Sequence, residues 1–273
     1  MSAGVQTKRT PLAARAREVA VPHGDVTKLI EFEDVTLGYR RNVVLAGLSF
    51  SIRNGEFFGI VGANGSGKTT ILRAMLGIIA PQAGRILFNG SEERMRFGYV
   101  PQKAVIDDMF PLTAREIVLM GRYGLLPPGR RPTARDREIA ERQLEHVGIG
   151  ELAGKRFRDM SGGQKQRTLF ARALAAEAKV LLMDEPTEGM DLEGQHAILE
   201  LIARLRAESG VTVVYVTHRL NELADSAERL LLLHDGEVRV GPTDALLTPA
   251  VLHEMYGVVA RVELVAGKRV IVL

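Results

Sequence analysis

Short apolar runs separated by turn residues fill the part of the chain that follows a polar N-terminal arm. The segments LIEFEDVTLGY and AGLSFSIRNGEFFGIVG are typical of strands, and Asn54-Gly55 is a strong hairpin signal. The segment GRILFNGSEERMRFGYV predicts a further pair of short strands around Asn89-Gly90. Together these patterns predict an antiparallel β layer within the first hundred residues.

The apolar spacing becomes helical over residues 103–160. The segment PLTAREIVLMGRY contains Thr113 and, three residues on, Glu116, which is the spacing of a capping box. A second helix is predicted from Thr133 to a stop at Gly148, and GLLPPGRRP between the two helices indicates a surface loop. We expect this segment to form a helical sub-domain inserted into an α/β domain.

Helices and apolar strands alternate after that insertion. A helix over Gly163–Ala176 is followed by the strand KVLLMD, the helix GQHAILELIARLRAESG and the strand VTVVYVTH. Near-continuous apolar strands that alternate with helices favour a parallel sheet covered on both faces. The segment RLLLLHDGEVRVG turns back at Asp235-Gly236 as a hairpin. A short helix from Thr248 to Gly257 precedes a β-like tail, for which a small regulatory or dimer-contact element and an edge strand are the alternatives; we expect the edge strand.

These patterns divide the chain into three consecutive parts. We expect a flexible basic arm over residues 1–28, an α/β domain over residues 29–240 that contains the helical sub-domain, and a short C-terminal extension over residues 241–273. The protein is therefore expected to have one main domain.

Composition narrows the class of protein. The chain of 273 residues is 46% apolar and 25% charged, which is ordinary for a globular protein. Its net charge of +3 equals the excess of bases over acids in residues 1–28, so the rest is formally neutral and we expect no nucleic-acid partner. The chain has no cysteine, which excludes disulfides and thiolate metal sites. It also has no apolar run of about 18 residues, so we do not expect it to cross a membrane alone.

A glycine-rich loop between a predicted strand and a predicted helix supplies the strongest chemical signal. The run Gly62-Ala63-Asn64-Gly65-Ser66-Gly67-Lys68-Thr69 matches GxxxxGK[ST], and Thr70 follows it. Glycines allow backbone N–H groups to turn toward phosphates at the positive end of a helix. Lys68 adds a positive charge, and the hydroxyl of Thr69 can complete the coordination of Mg²⁺.

Four polar residues are expected to meet this loop at the carboxyl edge of the sheet. Asp184 ends the strand VLLMD and can hold Mg²⁺ opposite Thr69, while Glu185 can polarise an attacking water. His218 ends the next strand and is expected to contact a γ-phosphate. Gln102 can reach Mg²⁺ or the attacking water without the charge repulsion that a carboxylate would meet near phosphate.

Two further features concern nucleotide contacts. Tyr39 precedes the phosphate loop by about twenty residues, and its ring could pack in the core or stack on a base. In DMSGGQKQ, Ser161 and Gln164 have capping-box spacing, which is consistent with a well-capped helix. Gly162 and Gly163 directly after the cap leave the helix start open to an approaching anion.

Taken together, these residues resemble the ATPase subunit of ATP-binding cassette (ABC) transporters from about Leu29 to Glu237. The motifs of that family occur in order: an aromatic A-loop at Tyr39, Walker A over Gly62–Thr69, a Q-loop at Gln102, the signature Met160-Ser161-Gly162-Gly163-Gln164, Walker B over Val180–Asp184 with Glu185, a D-loop at Asp191 and a switch histidine at His218. Two departures are visible: Met160 replaces the commoner leucine, and EGMD stands where small residues more often precede the aspartate.

The resemblance implies a P-loop NTPase fold of the ABC-ATPase type with a mainly parallel core, an antiparallel β sub-domain and an inserted α-helical sub-domain. It implies hydrolysis of ATP with Mg²⁺, catalytic roles for Glu185, His218 and Gln102, and metal contacts from Thr69, Gln102 and Asp184. A head-to-tail second copy would bring its signature loop, Ser161–Gln164, to the γ-phosphate bound by the first.

The resemblance also implies partners and a location. An ATPase subunit without membrane-spanning segments would act at the cytoplasmic face of the inner membrane, together with transmembrane permease subunits and a solute-binding protein. The segment FPLTAREIVLMGRYG and the run PTEGMD are similar to those of manganese/zinc-type importers, which implies a transition-metal cargo. An iron-siderophore or other importer, an exporter and a soluble ABC ATPase are the alternatives.

Overall fold

The computed structural model describes residues 17–18, 27–102 and 110–272, and its strands form three sheets. The strands are β1 (Arg17–Glu18), β2 (Lys28–Tyr39), β3 (Asn42–Arg53), β4 (Phe57–Gly62), β5 (Ala83–Phe88), β6 (Phe97–Val100), β7 (Val180–Asp184), β8 (Thr212–Thr217), β9 (Arg229–His234), β10 (Glu237–Pro242), β11 (Arg261–Val265) and β12 (Lys268–Val272). The helices are α1 (Lys68–Met75), α2 (Ala114–Tyr123), α3 (Ala134–His146), α4 (Gly162–Ala175), α5 (Leu192–Ser209), α6 (Leu220–Leu223), α7 (Thr243–Leu246) and α8 (Pro249–Tyr256), with 3₁₀ turns at Gly150–Leu152 and Phe157–Asp159.

The central sheet has the strand order β1-β10-β9-β4-β8-β7-β6. Strands β9, β4, β8, β7 and β6 are parallel to one another, whereas β10 runs antiparallel to β9. Every residue of β4, β7 and β8 is buried, as expected for strands covered on both faces. The predicted parallel sheet and the hairpin at Asp235-Gly236 are both confirmed.

Alternate residues of the central strands enter two separate cores. One core faces the helices and contains Phe57, Val61, Leu181, Met183, Val213 and Tyr215. The other faces the β layer and α1 and contains Phe58, Ile60, Leu182, Val214 and Val216. Successive side chains of a strand point to opposite faces of the sheet, so the helices pack on one face of the central sheet and the β layer packs on the other.

The antiparallel layer consists of β3, β2 and β5, but two predicted hairpins are wrong. Asn54-Gly55 joins β3 to β4, which belong to different sheets, because both edges of β4 pair with β8 and β9. The turn is held instead by a hydrogen bond from the Gly55 N–H to Thr212 Oγ1 at 2.8 Å. Asn89-Gly90 makes only the single bridge Phe88↔Ser91, after which β6 joins β7 in the central sheet.

The helical sub-domain packs α2 and α3 against α4. The predicted capping box of Thr113 with Glu116 is present, and the structure adds a second one, of Thr133 with Asp136, at the predicted start of α3. The first residues of the predicted insertion, 103–109, lie outside the described residues. None of the described helices is long and apolar enough to cross a membrane.

The C-terminal extension packs against the main domain, since Leu252, Met255 and Ile271 belong to the core that faces the helices. Helix α8 begins after its cap Thr248 and ends at Gly257, as predicted, but β11 and β12 pair only with each other in the described structure, so the expected edge strand is wrong. The hairpin is tied to the body by Asn221, whose side chain donates to Ile271 O at 3.0 Å and accepts from Ile271 N at 2.7 Å. Arg269 adds bonds to Asp225 and to the carbonyl of Ala224.

Two residues of the N-terminal arm belong to a strand. Arg17 and Glu18 pair in parallel with Arg239 and Val240 at the edge of the central sheet. Residues 1–16 and 19–26 of the expected flexible arm lie outside the described residues, and Lys28, the last residue of that arm, is the first residue of β2.

Candidate functional site

The carboxyl ends of three neighbouring strands meet at one edge of the central sheet. In the register, Val61 of β4 lies beside Thr217 of β8, and Val216 lies beside Asp184 of β7. The residues that follow these positions are the phosphate loop, His218 and Glu185. The fold therefore brings together the polar residues that the sequence places at separate strand ends.

The phosphate loop is shaped by glycines. Gly65 and Gly67 have φ values of 81° and 110°, in a region that other residues rarely adopt. A Cβ on Gly62 would lie 2.6 Å from both Leu233 O and Ser66 Oγ, so the loop could not close as it does with a larger residue. Helix α1 begins after Gly67 without a side-chain cap, which leaves its first N–H groups available to an anion.

Lys68 lies inside this loop and is almost fully buried. Its ammonium donates to the carbonyls of Gly62 at 2.7 Å and Ala63 at 3.1 Å, and its Nζ is 3.5 Å from Glu185 Oε1. The loop thus carries its positive charge at the centre of the site, where a phosphate would compete with Glu185 for it.

Glu185 is the residue on which the other site residues converge. Its Oε2 lies 3.0 Å from His218 Nδ1 and 3.3 Å from the amide nitrogen of Gln102. Its backbone has a φ of 45°, an uncommon conformation for a residue with a side chain, and its N–H donates to Val216 O at 2.8 Å. This backbone conformation turns the carboxylate away from the strand and into the site.

The contact with Glu185 also determines the proton position on His218. A carboxylate can only accept, so Nδ1 carries the hydrogen and Nε2 is the ring nitrogen left to face a ligand. The His218 side chain remains 36% exposed, which leaves room for such a contact.

Asp184 occupies the position predicted for a metal ligand. It is 6% exposed, and burial followed by the charge of Glu185 raises the pKa of its carboxyl, whereas Lys68 and Arg73 act in the opposite direction. Thr69 is exposed on the first turn of α1. A divalent cation between them would offset the burial of this negative charge.

Tyr39 ends β2 beside the phosphate-loop helix. Arg73 of α1 donates to its hydroxyl at 2.9 Å, and the guanidinium carbon lies 5.8 Å from the ring centroid. The ring is 38% exposed, so it is not a core residue. Of the two alternatives, this position favours contact with a base over packing in the core.

The signature loop begins helix α4, and Ser161 and Gly162 at its tip are exposed. Ser161 Oγ accepts from Gln164 N, and Gln164 Oε1 accepts from Ser161 N at 3.1 Å, which confirms the capping box. A Cβ on Gly162 or Gly163 would meet nothing within 4 Å. Met160 is buried and its sulfur contacts Thr168 Oγ1 at 3.6 Å, so it serves the apolar role of the commoner leucine.

Two groups of residues at this edge were not predicted from the sequence. Glu188, four residues after Asp184, accepts a hydrogen bond from the amide of Gln102. The carboxylate of Glu222 accepts from Thr217 at 2.9 Å, from Thr187 at 3.1 Å and from Tyr215 at 3.2 Å. The unusual EGMD run was the only sequence signal for Glu188, and none pointed to Glu222.

The residues present fit a nucleoside triphosphate with a divalent cation. The buried hydroxyl of Ser66 has no hydrogen-bond partner among the described residues, and it lies in the glycine cradle beside Lys68. The cradle offers donors for phosphate oxygens, and Thr69, Asp184 and Gln102 offer the oxygen ligands that Mg²⁺ prefers.

Comparisons with known proteins agree with this geometry. Residues 45–188 match the family model described as ABC transporter. The chain is 38% identical to the manganese transport system ATP-binding protein MntB of Bacillus subtilis (strain 168), over 84% of this chain and 92% of that protein. It is 37% identical to the zinc transport system ATP-binding protein TroB of Treponema pallidum (strain Nichols), over 84% of this chain and 86% of that protein.

Solved structures show the same fold. The dimeric structure of a bacterial ABC transporter cassette superposes with a TM-score of 0.69 at 30% identity, covering 79% of this chain and 99% of that one. A dimeric post-hydrolysis state of an ATP-binding cassette bound to ADP and Pi superposes with a TM-score of 0.66 at 29% identity, covering 79% of this chain and 99% of that one. The chain therefore belongs to the ABC transporter family, and it is one of the ATP-hydrolysing, ATP-binding subunits of that family.

Proposed function

We propose that this ATPase drives import of a transition-metal ion of the manganese/zinc type through separate permease subunits at the cytoplasmic face of the inner membrane. The observation that carries the enzymatic part is the convergence of Lys68, Gln102 and His218 on Glu185. The cargo is supported by relatives whose names state manganese and zinc transport. A solute-binding protein would deliver the ion to the permease.

The proposed roles follow from the positions of the side chains. Residues Gly62–Thr70 hold the phosphates, and Tyr39 stacks on the base. Thr69, Asp184 and Gln102 would hold Mg²⁺, which would supply positive charge to neutralise the phosphate oxygens. Glu185 accepts the proton of the attacking water. His218 donates Nδ1–H to Glu185 and would bind a γ-phosphate oxygen as a donor through its second ring nitrogen.

A second copy of the chain completes the site in this proposal. Ser161 and Gly162 are exposed and Gly163 and Gln164 are half-buried, and in the described part of the chain no hydrogen bond or ion pair links them to the phosphate loop. An open helix start with two glycines suits a phosphate that is held by another molecule. ATP would therefore join two head-to-tail subunits, and its hydrolysis would allow them to separate.

The permease contact is proposed at a groove between the central sheet and the helical sub-domain. The groove has a volume of about 370 Å³ and is lined by Phe97, Met120 and Leu125 together with Arg96 and Arg172. Burial lowers the pKa of the Arg172 guanidinium, which donates to Tyr99 O at 3.3 Å. An apolar helix that carries a carboxylate would complement these side chains.

The composite site is tested with Glu185→Gln. This variant should bind ATP, lose turnover by about 10²- to 10⁴-fold, and elute as a dimer when saturated with ATP, because the base is removed and the phosphate contacts remain. Lys68→Ala is the matched control and should remain monomeric, since it lacks the phosphate-binding charge. Size-exclusion chromatography with light scattering measures both. A Glu185→Gln variant that stays monomeric with saturating ATP contradicts the composite site.

The cargo is tested by uptake in a deletion strain. Loss of the gene should lower uptake of radioactive Mn²⁺ or Zn²⁺ and impair growth under chelation of that metal. Wild-type protein should restore uptake, and Glu185→Gln should not. Normal uptake of both metals in the deletion strain would refute a manganese/zinc cargo, and selective loss of siderophore-bound iron uptake would favour the iron-siderophore alternative.

A further inference from the structure

Glu188 occupies a position between two parts of the catalytic edge. It follows Pro186 and Thr187 in the turn that connects Glu185 to Asp191, the cap of α5. The turn is closed by a hydrogen bond from Glu188 N to Glu185 O at 3.1 Å. Thr187 is buried and bonded to Glu222, so one side of the turn is fixed in the core while the exposed Glu188 side chain faces the Q-loop.

The amide of Gln102 lies between two carboxylates. Its Nε2 donates to Glu185 Oε2 at 3.3 Å and also to Glu188 Oε2. An ionised carboxylate can only accept, whereas a glutamine amide has one side that donates and one that accepts. The reversed orientation would place the Gln102 carbonyl oxygen against two negative charges, so the two carboxylates together determine which way the amide faces.

That orientation has a consequence for the metal. Mg²⁺ binds oxygen and not the amide nitrogen, so a glutamine can be a ligand only through Oε1. With both N–H groups of Gln102 committed to Glu185 and Glu188, Oε1 is the atom left for a cation. A single carboxylate could be satisfied by one N–H, but the second carboxylate uses the remaining hydrogen and opposes rotation of the amide.

We infer that Glu188 is a positioning residue that orients the Gln102 amide, so that its oxygen faces the Mg²⁺ of the bound nucleotide while its nitrogen holds the catalytic Glu185. This inference rests on the proposed role of Gln102 as a metal ligand. It also gives a function to the EGMD run, in which a glutamate occupies a position where a small residue could make no such contact.

The test separates metal binding from nucleotide binding in the full-length protein. The affinity for a fluorescent, non-hydrolysable ATP analogue is measured in excess EDTA and in excess Mg²⁺, and the ratio of the two dissociation constants is the magnesium enhancement. Glu188→Ala should reduce this enhancement by about tenfold, the low end for loss of a residue that orients a metal ligand. The affinity in EDTA should not weaken. Glu188→Gln should lie between Ala and wild type, because its amide oxygen still accepts a bond but carries no charge.

The control variants distinguish orientation from a general loss of negative charge. Glu193→Gln removes an exposed charge five residues further on and should leave the enhancement unchanged. In a Gln102→Ala background, Glu188→Ala should have no further effect, because the amide on which it acts is gone. Melting temperatures close to wild type confirm that the variants are folded.

Each result has a definite meaning. An equal effect of Glu188→Ala with and without Gln102 would overturn the inference, since Glu188 would then act on the metal directly. A normal enhancement in Glu188→Ala together with a reduced one in Gln102→Ala would overturn the inference and leave the role of Gln102 intact. A normal enhancement in Gln102→Ala would contradict the proposed metal contact itself.

Discussion

Two glycines near the end of helix α2 offer a matched pair for testing how the helical sub-domain is packed. A Cβ built on Gly121 would lie 2.2 Å from the backbone carbonyl oxygen of Arg172 in α4, and 3.2 Å from the Ala175 Cβ. A Cβ on Gly124, the cap of the same helix, would meet nothing within 4 Å. Gly124 also has the ordinary helical φ of −65°, so alanine fits its backbone.

The size of the effect follows from these distances. Because the obstructing atom at Gly121 is backbone, α2 must move away from α4 by about 1 Å to reach an ordinary contact distance, and overpacking of this kind costs about 1–3 kcal/mol. An approach of 2.2 Å to a backbone atom belongs to the upper part of that range, about 2–3 kcal/mol. The higher helix propensity of alanine returns about 1 kcal/mol, so the expected net loss for Gly121→Ala is about 1–2 kcal/mol. Gly124→Ala should instead stabilise by about 0.5 kcal/mol, because alanine reduces the freedom of the unfolded chain.

Urea unfolding followed by circular dichroism, together with thermal melts, measures the difference between the two variants. A gap of about 2 kcal/mol corresponds to about 4–8 °C in Tm for a protein of this size. If Gly121→Ala proved as stable as Gly124→Ala, the close approach of α2 to the Arg172 carbonyl would be wrong.

Two further variants probe polar groups at other places in the fold. Glu222→Gln should lower the free energy of unfolding by about 2 kcal/mol, measured by urea unfolding. The Glu222 carboxylate accepts hydrogen bonds from Thr187 and Tyr215, and a charged acceptor binds more strongly than a neutral amide oxygen. An unchanged free energy of unfolding would show that these hydrogen bonds do not stabilise the fold. For Asp136, hydrogen bonds from Thr133 and then Arg122 lower the pKa from 3.8 to about 2. Its stabilising contribution is therefore complete above its unfolded pKa and disappears as the pH falls through about 2. Asp136→Asn should be less stable than wild type at neutral pH, and its free energy of unfolding should fall less steeply between pH 4 and pH 2. An equally steep fall in both proteins would contradict the lowered pKa of Asp136.

Local patterns predicted most of the fold because they depend on neighbouring residues. The caps at Thr113, Thr133 and Ser161 were predictable, since a capping box is completed within four positions of the chain. The turn at Asn54-Gly55 was misassigned because its dipeptide specifies a backbone turn but not which sheet receives the next strand. That choice depends on β8 and β9, which lie more than 150 residues further along the chain.

The site shows the same division between local and distant information. The positions of Asp184 and His218 at strand ends, and of Lys68 in the loop after β4, follow from the order of strands and from the carboxyl-edge rule. The role proposed for Glu188 depends on a contact with Gln102, 86 positions earlier in the chain, which no periodicity or spacing could reveal. The Glu222 cluster likewise joins a turn, a strand and a helix that are separate in sequence.

The attachment of the C-terminal hairpin at Asn221 matters for the integrity of the catalytic edge. Asn221 lies three residues after His218, and the loop that leads to the hairpin contains Val259, whose side chain is 82% exposed. A protease that cut the chain at Val259 would leave every nucleotide-binding motif intact. The hairpin would then no longer be covalently joined to the body, and helix α6, which follows His218, would lose the bonds between Asn221 and Ile271 once the hairpin dissociated. Residues 45–188, which match the family model, would also be untouched by such a cut. A fragment could therefore carry the complete set of motifs and yet be defective in catalysis.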